Sequence, residues 1–431
     1  MVRKTPTRKK RRGPVGSALR GIPSLGSAPI AVENTHLHLT RLDPAESLRL
    51  VMQLMALPGL SGREGPVAQF IMEQLRAAGA PESAISLDTA HKRTPNPGEV
   101  GNLILNLPGN IAGPRRLLMA HMDTVPLCLG SKPVIDGDFL RSADPNTGLG
   151  ADDRSGAAAV LSAALTILRH NLPHPPLTFF WPVQEEVGLH GVRHADVNLL
   201  GNPKLAFNWD GGTAEKVTIG ATGGYRMKIE IEGLASHAGI APELGVSAVG
   251  IAALAIARLH DEGWHGQIIR GRRRGTSNVG YIHGGGATNV ITDRVELKAE
   301  ARSHDPKFRQ QIIRAIEKAF QDSAKRVRSA AGARGKVTID GHLDYESYRL
   351  AENEPCLLAA EAALRAEGLE PIRAISSGGL DANWMFAHGI PTASLGCGQV
   401  NVHTTSERLD IAAFHRACRI ALRLAIGERQ S

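Results

Sequence analysis

Cysteine and aromatic side chains are scarce in this chain. The 431 residues include four cysteines (Cys128, Cys356, Cys397 and Cys418) and no CxxC spacing. A disulfide framework does not fit a chain of this length, and reduced thiols in a cytoplasmic protein are expected. Aromatics make up 4% of the residues, too few for a base-stacking surface. No apolar run reaches the ~18 residues of a membrane-spanning helix. No GxSxG elbow occurs, so serine-hydrolase chemistry lacks its nucleophile turn.

An excess of one charge is also missing from most of the chain, despite a formal net charge of +8. Eight of the 50 Lys and Arg residues fall in residues 1–20, where no acid occurs, leaving 42 against 42 Asp and Glu elsewhere. The body is neutral, and the basic character belongs to a tail over residues 1–44. That tail is rich in Pro, Gly and Ser without apolar periodicity and reads as disordered. It lacks the apolar segment of a secretory signal, about 7–15 residues long. Such a tail is either a solubilising extension or a contact for nucleic acid and other anionic surfaces.

What is present is the composition of a globular protein, 42% hydrophobic and 21% charged, in a chain too long for one ordinary core. Residues 46–56 place Leu48, Val51, Met52 and Met55 on one helical face. A loop over Gly59 to Gly65 leads to a second helix ending near Leu75. Apolar runs at 103–107, 117–120, 177–183 and 205–209 predict buried strands, with an Ala/Leu-rich helix over 155–169. Such alternation predicts an α/β fold with a mostly parallel sheet sandwiched by helices. From Val217 the pattern changes. Residues 225–232 alternate with period two, strands follow at 278–283, 294–301 and 337–340, and helices at 247–260 and 306–328, the last opened by Pro306. This predicts an α+β unit inserted over residues 217–347 between two parts of the α/β domain, 45–216 and 348–431. In the second part, 355–366 and 411–426 read as helices and 390–395 as a strand.

Three clusters of metal-binding or proton-transferring side chains follow apolar runs: Ala120-His121-Met122-Asp123-Thr124, Gly150-Ala151-Asp152-Asp153 and Gln184-Glu185-Glu186. The two-residue period of a strand puts His121 and Asp123 on one side. That spacing suits an imidazole on a metal whose other nitrogen is held by a carboxylate, though alone it is equally a surface feature. Asp152 and Asp153, alone, read as N-cap acids of the following helix. Glu185 and Glu186 close an apolar strand, where a solvated acidic pair does not belong; one would bind metal while the other moves protons. Asp210 ends the next strand, and His403 lies eight residues beyond the 390–395 strand. Together these groups fall beyond the carboxyl ends of strands, where open α/β sheets bind ligands. Carboxylates and imidazoles converging on one point suit a hard or borderline metal ion. The pattern points to a metal-dependent hydrolase.

On these residues the chain resembles the M20 family of di-zinc metallopeptidases, and within it the peptidase T-like tripeptidase branch, over residues 45–431. The likeness rests on His121-Met-Asp123-Thr, Gly150-Ala-Asp152-Asp153-Arg-Ser-Gly156, Glu185-Glu186, Asp210-Gly-Gly, Ser236-His237-Ala-Gly239, Gly285-Gly-Ala-Thr-Asn289, Ala301-Arg302-Ser-His-Asp305, Gly378-Gly-Leu-Asp381 and Val402-His403-Thr-Thr. The resemblance implies a zinc-peptidase-like catalytic domain and an inserted dimerisation or lid domain. It also implies two Zn²⁺ per subunit, with Co²⁺ or Mn²⁺ as substitutes. Asp152 would bridge the ions across a cis Asp152–Asp153 peptide, with His121 and Asp210 completing one and Glu186 and His403 the other. Asp123 would orient His121, and Glu185 would act as general base and then general acid. His237, by itself only a loop histidine, would reach the partner subunit's site and stabilise the oxyanion. Asn289 and Arg302 would contact substrate, Arg302 through a carboxylate, and Gly379 would permit close backbone approach. The resemblance further implies, from Asp rather than Glu at position 210, an aminopeptidase more than a deacylase. A cytoplasmic homodimer paired through the inserted domain, cleaving short peptides away from any membrane, is the resulting expectation.

One departure is Arg270-Gly-Arg-Arg-Arg-Gly275, either a solvated loop, a modifier of substrate preference or a contact for the anionic surfaces suggested for the tail. Two rival functions remain. One is the same machinery acting on N-acyl amino acids or carbamoyl-type substrates. The other is a non-catalytic module binding nucleic acid through the tail and Arg272–Arg274, which predicts strongly salt-dependent binding. The intact ligand set speaks against the second.

Overall fold

The computed structural model describes residues 38–427. Most of the expected basic tail lies outside the described residues. Leu39 and Leu42 are buried against the large core, so packing begins ahead of residue 45.

The apolar runs form the middle of a nine-stranded sheet. Leu177–Trp181, Arg116–Met119, Leu205–Trp209 and Thr392–Leu395 lie side by side and parallel. Leu103–Leu107 and Ile85–Leu87 extend one side antiparallel, and Lys216–Ala221 and Tyr348–Arg349 the other. Alternation along each strand divides the interior in two. Leu103, Leu105, Leu118, Phe179, Trp181 and Phe207 point into the large core. Ile104, Leu117, Met119, Phe180 and Ala206 point into a smaller one with Val192 and Met385 on the other face. The alanine-rich helix Ala151–His170 is buried along almost its whole length, packed against the strands and the helices Pro44–Ala56 and Ile411–Ile426. Small side chains permit this close approach.

The alternating strands form a separate five-stranded antiparallel sheet, ordered Gly266–Arg270, Arg273–Gly284, Arg294–Ser303, Gly223–Glu232, Lys336–Tyr345. Helices Ala248–Asp261 and Pro306–Arg326 cover one face around their own core. Ser247 caps the first through Gly250 N, and Asp305 the second through Lys307 N and Phe308 N. The arginine run is a hairpin tip rather than an open loop, since Arg270 pairs with Arg273 in register. Arg270 lies over Trp264 at 4.8 Å.

The chain passes between the two sheets at Thr222 and again at Glu346. Asn383, on the helix Ala382–Ala387, joins both passes: its Nδ2 donates to Thr222 O at 3.0 Å and Glu346 O at 2.7 Å. Its Oδ1 accepts from Leu380 N at 3.0 Å.

Candidate metal centre

His121 leaves the strand Arg116–Met119, Glu185 and Glu186 leave Leu177–Trp181, and Asp210 leaves Leu205–Trp209. These strands are parallel and in matched register, so their carboxyl ends coincide. Asp152 and Asp153 have non-helical dihedrals and stand ahead of the regular part of the alanine-rich helix, where Asp153 accepts from Gly156 N as an N-cap, and the peptide between them is cis, as the resemblance implied.

Asp152 stands at the centre. One of its oxygens lies 3.2 Å from His121 Nε2 and the other 3.2 Å from His403 Nε2. His403 Nε2 also lies 2.9 Å from Glu186 Oε1. His121, Asp152 and Glu186 each offer one ligand atom within 4.8 Å of the others. Asp210 lies within electrostatic reach of Asp152, His121 and Glu186.

Negative charge here outweighs what two imidazoles balance. Burial, reinforced by Asp152, pushes Asp210 up to about 7. Burial likewise raises Glu186, and Glu185 well above the usual carboxylate range, with Asp210 and Asp381 adding to the latter. Hydrogen bonds to Asp152 and Glu186 raise His403 to about 10. Burial works against ionised Asp152, yet its bonds to His121 and His403 outweigh it and hold that carboxyl low. Crowded, dehydrated carboxylates of this kind are stabilised by nearby dications. Two imidazoles and three carboxylates, one of them turned to both imidazoles, fit a two-ion site.

A further set of buried carboxylates grips the backbone of the ligand-bearing loops. Asp123 lies 3.3 Å from His121 Nδ1. It also accepts from Glu185 N at 3.0 Å, Glu186 N at 3.1 Å and the Ser61 hydroxyl at 2.6 Å. Asp153 accepts from His121 N at 3.2 Å and Gly156 N at 3.1 Å. Glu407 accepts from Gly150 N at 2.7 Å and Asp152 N at 3.1 Å. Sequence reasoning missed Ser61 and Glu407. Their partners lie 62 and at least 255 residues away, and no periodicity announces such pairs.

The remaining expected residues lie elsewhere. His237 is in an exposed loop after the strand Gly223–Glu232, where its Nδ1 accepts from Gly239 N and Ile240 N at 3.2 and 3.1 Å. Asn289 lies beside it, its carbonyl accepting from Ala238 N at 2.8 Å. Among the described residues no hydrogen bond joins His237 or Asn289 to the acidic cluster. Arg302 is near the passes between the sheets, with Nε and Nη2 each 2.9 Å from Glu300. At Gly379 a Cβ would fall 2.5 Å from Cζ of Tyr345, so the close approach there is by that ring.

Ligands gathered beyond parallel strand ends define an α/β metallohydrolase. Residues 117–426 match peptidase family M20/M25/M40, and the chain belongs to this family and is a peptide-hydrolysing metalloenzyme. The uncharacterized protein YqjE of Bacillus subtilis (strain 168) is 31% identical over 312 residues, 72% of this chain and 80% of that one. Peptidase T of Escherichia fergusonii is 25% identical over 373 residues, 76% and 85% of the two chains. The crystal structure of a tripeptidase from Staphylococcus aureus superposes with a TM-score of 0.80 at 30% identity, covering 89% of this chain and 98% of that one.

Proposed function

We propose that this chain is a di-zinc aminopeptidase that removes the N-terminal residue of short peptides, tripeptides foremost. The observation that carries the reading is Asp152, with one oxygen 3.2 Å from each of two imidazoles. The likeness to a tripeptidase and to peptidase T supports the substrate class.

His121, Asp152 and Asp210 would hold one ion, and Asp152, Glu186 and His403 the other. When bound, such a pair polarises the scissile carbonyl and acidifies water. Glu185, 9% exposed and beside Glu186, removes the proton from the attacking water and delivers it to the leaving amine nitrogen. Asp123 fixes the ring of His121 and, through two amides, the direction of Glu185. Arg302 takes the carboxylate end of the peptide, exchanging Glu300 for it, while the Gly379 loop contacts the substrate backbone and Asn289, beside His237, contacts the substrate held by a second copy.

His237 belongs to the site of a second copy. The ten-residue strand Gly223–Glu232 spans about 30 Å, so His237 sits at the end of the inserted unit far from the passes. Ile240, Leu244, Leu234 and Val290 are exposed around it, an apolar patch suited to a dimer interface. The inserted unit begins after Thr222 rather than at 217, because Lys216–Ala221 pairs within the larger sheet and buries Val217, Ile219 and Ala221 in the large core; running from there to Glu346 it is the pairing domain, and the segments on either side are the catalytic one. A cytoplasmic location accords with four free, buried cysteines. Among the described residues no helix is long and apolar enough to cross a membrane.

The test is elemental analysis of the purified protein together with assays on tripeptides and N-acetyl amino acids. Two zinc ions per chain and tripeptide cleavage are expected. Hydrolysis of N-acetyl amino acids alone would replace this reading with a deacylase.

A further inference from the structure

Glu64 is fully buried between two loops that share no sequence neighbourhood. Its Oε1 accepts from Gly62 N at 2.7 Å, within its own loop, and from Gln184 N at 3.0 Å, 120 residues away. Gln184 has φ of +54°, a left-handed conformation that a non-glycine residue adopts only when its surroundings impose it. The amides of the next two residues donate to the two oxygens of Asp123 at 3.0 and 3.1 Å. Three consecutive N–H groups, 184 to 186, are thus held by two carboxylates from separate segments. Ser61 completes the stitch, its hydroxyl on Asp123. Arg154 is 1% exposed, donates to Gly59 O at 3.1 Å and lies within electrostatic reach of both Asp123 and Glu64.

We propose that Glu64 is a positioning residue for Glu185: by capturing the Gln184 amide it imposes the left-handed turn that aims the Glu185 carboxylate at the reacting centre. The proposal rests on the reading of Glu185 as the proton-transferring group. Glu64 touches neither substrate nor any of the metal-binding side chains. Its loss therefore lowers turnover while leaving metal content and substrate affinity in place. A misplacement of about 1 Å at the chemistry costs on the order of 100-fold in rate.

The experiment compares the full-length protein with Glu64→Ala, Glu64→Gln and Glu185→Gln, measuring metal content, thermal midpoint, kcat and KM on trialanine. Glu64→Ala is expected to keep its metal and its KM within about twofold while kcat falls about 100-fold. Glu64→Gln keeps an acceptor at the same place and is expected to recover most of kcat, which a generally weakened fold would not do. If Glu64→Ala does not fold, Glu64→Asp withdraws the acceptor by one methylene and is expected to show the same split between kcat and KM. A folded, metal-loaded Ala or Asp variant with unchanged kcat overturns the proposal, as does a Gln variant no better than the Ala variant. If Glu185→Gln remains active, the assignment of Glu185 fails and this inference fails with it. If Glu185→Gln is dead while the Glu64 variants turn over normally, only the inference about Glu64 is lost.

Discussion

Single side chains decide how closely the Gly379 loop sits to the inserted unit. The ring of Tyr345 is wedged where Cβ atoms at two glycines would be, 2.9 Å from that position at Gly224 and 2.5 Å at Gly379. Gly379→Ala is therefore expected to destabilise the protein by about 1–3 kcal/mol, the usual cost of overpacking, and thermal melts check it. The loss on Gly379→Ala should be smaller in a Tyr345→Ser background; an equal loss in both backgrounds would disprove the wedge. This contact illustrates what the sequence could not disclose. Gly379 stands out in a motif, but the ring that demands glycine comes from a strand more than 30 residues earlier. His121, Glu186 and Asp210 were legible because each follows a short apolar run, a local pattern; Asp152, at the start of a helix, and His403, eight residues past its strand, carry no such mark. Glu64 and Glu407 were not legible, because each bonds to backbone amides, which every residue possesses, and Ser61 was not, because its carboxylate partner lies 62 residues away.

Two helices bounded by chemical punctuation were read correctly to the residue. The helix Pro355–Ala366 opens on proline, and Ile411–Ile426 opens after Asp410, whose side chain accepts from Ala413 N. Of the hairpin Gly266–Arg270 with Arg273–Gly284 only 278–283 was read; its first strand and its tip were missed because the tip is an arginine run and the first strand is largely exposed. The short helix Ala382–Ala387 matters beyond its length through Asn383, which is 2% exposed and bonded to three backbone groups of three segments. Asn383→Ala would leave those groups buried without partners, at roughly 1–3 kcal/mol each where no water enters. A thermal midpoint lowered by several degrees is expected in calorimetry; an unchanged midpoint would show that the joint is held by other bonds.

Two measurements address the molecule as a whole. Ions that bind the folded chain and not the unfolded one stabilise it by mass action, about 2.7 kcal/mol at a hundred times Kd. Treatment with EDTA should therefore lower the unfolding temperature, and zinc should restore it; a melt indifferent to both would count against a metal centre of this strength. Mixing two inactive variants, His237→Ala and Glu185→Gln, tests whether two copies share a site. In the mixed dimer one site draws Glu185 from the first variant and His237 from the second, so exchange at random should return about a quarter of parental activity. No recovery, in a mixture verified to have exchanged subunits, would confine His237 to its own chain.

The Asn383 amide has one further implication. A single nitrogen touches the carbonyls of both Thr222 and Glu346, so the chain leaves the catalytic sheet and re-enters it at almost the same point. Everything between them can be excised and bridged by a short linker, or a different fold grafted in, without rethreading any strand of the larger sheet. Such an architecture lets chemistry and recognition evolve as separate parts of one polypeptide.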